Sequence, residues 1–204
     1  MGAPAVVYRV AAGGGTAEVL FHTADQHIRC LLMEANRTLW AGIDGAGVIY
    51  RIATDTAGAK AFAVYAAPKR EITTLAMDAA GGVYAAGVGA RSGPGPGLPP
   101  LPVTGNLGVS ITFVQPQSAH AATANALVPE GSEVYRLAGA GGVAVPQKLL
   151  TLKDDVVNAL TVRNGVLLTA TGNRGRVYRV DTEMPGRLAD VAHLERRRGW
   201  YLRR

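Results

Sequence analysis

Short runs in which apolar residues dominate or alternate with polar ones follow one another from Ala5 to Leu194, separated by turn residues such as glycine, aspartate and asparagine. No segment keeps a helical apolar period for three turns, so β-strand is the predicted element throughout. Strands are predicted at Ala5–Val10, Ala17–His22, Ile28–Met33, Thr38–Ile43, Val48–Ile52, Lys60–Ala66, Ile72–Met77 and Val83–Val88. They resume, after an interruption, at Val134–Leu137, Lys148–Leu152, Val156–Val162, Val166–Thr171, Arg176–Asp181 and Leu188–Leu194. Turns are expected at Gly13-Gly14-Gly15, Asp25-Gln26, Glu34–Arg37, Asp44-Gly45, Pro68-Lys69-Arg70, Asp78–Gly82 and Arg163-Asn164-Gly165, where glycine, asparagine and aspartate supply the conformations that tight turns need.

The strands repeat. An apolar residue, Tyr-Arg and a second apolar residue occur as Val7–Val10, Ile49–Ile52, Val134–Leu137 and Val177–Val180, with tyrosines 42, 85 and 43 residues apart. A period in the low forties, with four strands in each, suits a propeller blade of about 40–45 residues. The long spacing is one period plus an insertion at 91–131, rich in proline, glycine and alanine, which lengthens the hairpin between second and third strands. Within it, Val109–Val114 is a strand candidate and Ala119–Leu127 an alanine-rich stretch. The aligned apolar positions are Ile28, Ile72 and Val157; Leu31, Leu75 and Leu160; and Trp40, Tyr84 and Leu168. The expected fold is therefore all-β, with four-stranded antiparallel blades of a β-propeller. About three and a half blades are present: a half blade at 5–22 and blades at about 26–66, 71–152 and 155–194. Rings usually need four to eight blades. The expectation is thus a partial propeller over 1–194, a piece of a longer ring, with missing blades or other copies needed to close it.

Leu39–Ile52, with its counterpart at Leu167–Val180, resembles the blade consensus of bacterial WD40-like and NHL-like propeller proteins. The resemblance covers most of residues 5–194 apart from the insertion. It implies the propeller fold and leaves the function open, because that fold hosts receptors, scaffolds, lyases and lactonases alike.

Composition narrows the classes. The net charge is +6, of which +4 falls in a basic tail at 195–204. A nucleic-acid site would set such charge on a folded face among polar or aromatic readers, so no nucleic-acid partner is expected. The single cysteine, Cys30, excludes an internal disulfide and lies in an apolar run where a buried thiol is the expectation. No apolar run approaches the roughly 18 residues of a membrane span, and no signal peptide is read at the N-terminus.

The candidate chemistry lies on the strands that would line the central channel. Their aligned polar positions are Arg29, Thr73 and Asn158, flanked by His27, Glu71 and Asp155. Arg29, Thr73, Asn158, Glu71 and Asp155 are the candidate ligand-binding residues. The leading expectation is a non-catalytic scaffold, without a cofactor, that binds a protein or small molecule at this rim and through the insertion. The resemblance implies an alternative, part of a lactonase- or lyase-type propeller enzyme with a metal or ligand site in the central channel. Lactonase-type propellers hold a divalent metal in the channel, a role that would fall to Glu71, Asn158 and Asp155 with Ca2+, a cation that favours oxygen ligands. Nucleophilic catalysis has no signature: there is no Gly-x-Ser-x-Gly elbow, and the four histidines show no spacing that implies a site. The Tyr-Arg pair recurs with the period and reads as a structural device. Alternation puts Tyr50 with Ile52 on one face of its strand, and Ile49 with Arg51 on the other.

Overall fold

In the computed structural model the described residues are 4–25, 27–35, 37–55, 61–90, 131–137, 146–172 and 174–193. The insertion as far as residue 130, with its strand candidate and alanine-rich stretch, and the tail at 195–204 lie outside them. The described residues form fourteen strands and no helix: β1 (Ala5–Arg9), β2 (Glu18–Thr23), β3 (His27–Met33), β4 (Thr38–Asp44), β5 (Val48–Ala53), β6 (Ala61–Ala66), β7 (Lys69–Met77), β8 (Val83–Ala90), β9 (Ser132–Leu137), β10 (Gln147–Leu152), β11 (Val157–Arg163), β12 (Val166–Thr171), β13 (Arg176–Val180) and β14 (Leu188–His193). No helix among them is long and apolar enough to cross a membrane.

All pairing is antiparallel. The hairpin β1–β2 stands as one sheet, and β11–β12–β13–β14 form another in chain order. Between them lies a strongly curled eight-stranded sheet. It contains the ladders β3–β4–β5–β6 and β7–β8–β9–β10, joined where β4 meets β7 at one pair, Asp44 opposite Glu71. We call the three runs of four strands the first, second and third meanders.

Turn chemistry explains their tight connections. Arg163 pairs with Val166, so the hairpin of the third meander turns on Asn164 and Gly165 alone. Both have positive φ, 51° and 73°, the type I′ geometry that Asn-Gly favours and that matches the twist of the strands. The expected turn at Pro68-Lys69-Arg70 is a correction. Lys69 and Arg70 already belong to β7, because Lys69 pairs with Ala90 and the Arg70 carbonyl accepts from Gly45 N–H at 3.0 Å. That second bond comes from the neighbouring meander, which local propensity does not register.

The core is divided into three clusters, built between the hairpin and the first meander and between successive meanders. Val7 and Leu20 of the hairpin meet Leu39, Ala41 and Ile52 of the first meander. Trp40 and Ile49 of the first meander meet Ile72, Val83, Tyr135 and Leu137 of the second. Tyr84, Val134 and Leu149 of the second meet Val157, Leu167, Tyr178 and Val180 of the third. The central strand β4 reads Leu-Trp-Ala-Gly-Ile without a polar break because both its faces are buried, Leu39 and Ala41 into one cluster and Trp40 into the next. Each large side chain so buried contributes roughly 1.5–3 kcal/mol. The predicted faces of β5 are observed: Tyr50 and Ile52 lie toward the hairpin, while Ile49 and the Arg51–Trp40 contact (5.8 Å) lie toward the second meander.

Two glycines separate backbone strain from steric collision. Gly165 has open space around it, whereas a Cβ on Gly47 (φ 62°) would lie 1.9 Å from the Lys69 carbonyl oxygen. Gly165→Ala is expected to cost about 1 kcal/mol, from the positive φ alone. Gly47→Ala should cost at least ~3 kcal/mol, since the β4–β5 connection must also move away from β7. Urea denaturation of the two variants checks the order, and equal losses would contradict this account.

Candidate functional site

The strands β3, β7 and β11 lie side by side, β7 between the other two. Each carries a β-bulge at the aligned position: the register slips between Ile28 and Cys30, between Ile72 and Thr74, and between Val157 and Ala159. A bulge re-aims a side chain out of simple alternation. The residues it contains are Arg29, Thr73 and Asn158, the aligned polar positions of the sequence.

Two of these residues reach the next strand. Arg29 Nε donates to Glu71 Oε1 at 2.5 Å, and this bond is the main reason its pKa is raised. The Thr73 hydroxyl lies 2.7 Å from the Val157 carbonyl oxygen and 3.2 Å from that of Ala86, and donates to the nearer. Asn158 stands in the same place on β11, exposed, with no further strand beside it among the described residues. Its Nδ2 lies where a Cβ on Gly172 would fall, 2.0 Å away. Two further bonds run parallel to these: Cys30 Sγ to the Ile72 carbonyl at 3.6 Å, and Val157 N–H to Ser132 Oγ at 2.8 Å.

The acidic candidates belong to separate groups. Glu71 is held by Arg29. Asp155 is buried, accepts from the Tyr178 hydroxyl at 2.8 Å, and has Arg174 Nε 3.4 Å from Oδ1 without hydrogen-bond alignment. Arg174 also pairs with Asp154 at 3.4 Å. A cluster that sequence reasoning missed surrounds Asp44, with His27 Nδ1 at 3.3 Å and Arg70 Nε at 3.5 Å. Asp44 reads locally as a turn residue; the β3–β4 hairpin sets His27 opposite it, and the pairing of β4 with β7 adds Arg70. The structure thus brings Arg29 and Glu71 together, ties Thr73 to β11, and sends Asp155 toward β13. Among the described residues no three His, Cys, Asp or Glu side chains are grouped to hold a metal ion. Of the residues that would hold Ca2+ under the alternative, Glu71 is bonded to Arg29 and Asp155 has Arg174 beside it.

Neither the protein-family models nor the curated proteins include a match to this chain.

Recurring aromatic–acid bonds account for other polar groups. Trp40 Nε1 donates to Glu34 at 3.2 Å, and the Tyr84 hydroxyl donates to Asp78 at 3.1 Å from the aligned position. The Tyr135 hydroxyl donates to Glu133, and burial pushes its pKa up. Of the surface concavities, one of about 420 Å³ lies between β1 and β3 and includes Arg29. Another, of about 550 Å³, opens at the β13–β14 turn beside Arg179, Asp181 and Arg187, away from the candidate residues.

Burial raises the Cys30 thiol to about 12. The native thiol is therefore protonated near neutrality and poorly nucleophilic. At pH 8 its reaction with a disulfide reagent should run at least about 100-fold slower than in the urea-unfolded chain. Cys30 is the one cysteine, so the readout is unambiguous, and comparable rates would refute the burial argument. The two stitches also differ in energy. Thr73→Val should cost about 1 kcal/mol, leaving the Val157 carbonyl without its donor. Arg29→Met should cost less, because Arg29 is half exposed and its ion pair is solvent-screened. Chemical denaturation ranks the pair, and the reverse order would contradict the assignment.

Proposed function

We propose that the chain is a stretch of β-propeller whose meanders are four-stranded blades, related to the WD40-like and NHL-like repeat proteins. In this reading it serves as a non-catalytic scaffold for a protein or small-molecule ligand. Its contact surface is the rim formed by β3, β7 and β11 together with the insertion at 91–131. The observation that carries the reading is the stitching of the inner strands. Arg29, Glu71 and Thr73, the polar groups a channel enzyme would direct at a substrate, are used to hold one meander against the next. Repetition of the same bulge on three adjacent strands supports the blade assignment. The lactonase-type alternative loses support because its candidate carboxylates carry basic partners.

The insertion suits a contact surface because the ladder that flanks it pairs directly, Val88 with Ser132 and Val83 with Leu137. Two measurements test the proposal together. Replacing residues 92–130 by a short Gly-Ser linker should preserve the β-sheet circular dichroism and a cooperative melt, and loss of folding would make the insertion part of the core. Adding millimolar calcium to the full chain should leave the melting temperature unchanged. A reproducible rise would mean that a site binds the metal in the native state, and would favour the enzyme reading.

A further inference from the structure

The outermost faces of the described sheets repeat residue patterns that are buried everywhere else. On β12 and β13 of the third meander, Leu168, Ala170 and Val177 point away from the core and are partly exposed. At the aligned positions of the second meander, Tyr84, Ala86 and Val134 are buried against the third; in the first, Trp40, Gly42 and Ile49 are likewise buried. The bulge residue of each outer strand repeats the comparison. Leu20, Val64 and Leu149 each pack into the core that follows them, and Leu149 is 1% exposed, whereas Val191 on β14 is 57% exposed.

The opposite end of the series shows the converse. In β5, β9 and β13 the repeat tyrosine and the apolar residue two places later pack against the preceding sheet. Ile52, Leu137 and Val180 are at most 3% exposed. In the hairpin, Tyr8 is 59% exposed and Val10 is 56% exposed, with Val19 of β2 paired opposite Tyr8 on the same face. One end of the chain therefore presents the tyrosine side of this contact and the other end presents the side that receives it.

We propose that the two faces meet between copies of this chain, head to tail. The hairpin face with Tyr8, Val10 and Val19 of one copy seats on the Leu168, Val177 and Val191 face of the next. The contact continues a packing that the chain already makes three times within itself, which is why a second copy is the fitting occupant. It rests on that repeated packing and not on the scaffold reading. The interface is heterologous, so each copy keeps one face open until a ring closes or the series runs on.

Sedimentation velocity of the full chain over a range of concentrations tests this. The wild type should grow beyond the monomer with concentration. Tyr8→Asp and Val177→Asp should each weaken association by at least about tenfold, since each places a charge at the centre of an apolar contact. Each variant retains one intact face. An equimolar mixture of the two should therefore form a species of two copies and stop there. A wild type that stays monomeric overturns the proposal, as does a mixture that stays monomeric or variants that associate like the wild type. Circular dichroism and melting confirm that the variants fold. Val10→Asp and Val191→Asp, at sites already exposed, replace them if either does not.

Discussion

Every meander is covered on both faces by side chains that need a neighbouring sheet. Ile49 and Tyr50 are adjacent in sequence, yet one enters the core shared with the second meander and the other the core shared with the hairpin. A strand whose successive residues face opposite ways cannot bury both sets within its own sheet. No meander has a complete core of its own, so stability resides in the contacts between sheets, as in repeat proteins generally. This explains why β4 and β8 tolerate no polar interruption in their centres, and why the tyrosine recurs at a fixed place in β5, β9 and β13.

Polar bonds then set the sheets in register. Apolar contact is non-directional and would allow neighbouring sheets to slide. The bulges of β3, β7 and β11 displace one residue per strand, and Arg29 and Thr73 use that displacement to reach a specific atom of the next strand. The same division of labour holds deeper in the core, where the Tyr178 hydroxyl satisfies one oxygen of buried Asp155. Arg29, Glu71, Thr73 and Asp155, four of the five residues that looked like a channel site, thus have a structural occupation, which is the main physical argument for the scaffold proposal.

The fourteen strands of the described residues occur in the order that the apolar pattern predicts, and the aligned residues Arg29, Thr73 and Asn158 all fall at bulges, which the sequence did not signal. Asn164-Gly165 forms the tight turn its chemistry demands. The exceptions have one cause. Lys69 and Arg70 become strand because their backbone groups find partners in Ala90 and Gly45, and Asp44 meets Arg70 because β4 meets β7. These contacts join segments about 20 residues or more apart, beyond the reach of a local window.

By itself the sequence determined the all-β character, the strand boundaries to within a few residues and the repeat, because strand alternation and turn preference act over a handful of neighbouring residues. It also determined which positions recur on β3, β7 and β11. What those positions do was decided by the tertiary structure alone. Whether a carboxylate is a ligand or half of an ion pair depends on which cation the fold brings within about 4 Å, and Glu71 meets Arg29 only across two packed strands. Likewise Tyr8 and Tyr178 are the same residue in the same repeat. One is exposed and the other buried because a sheet lies against the second and not the first.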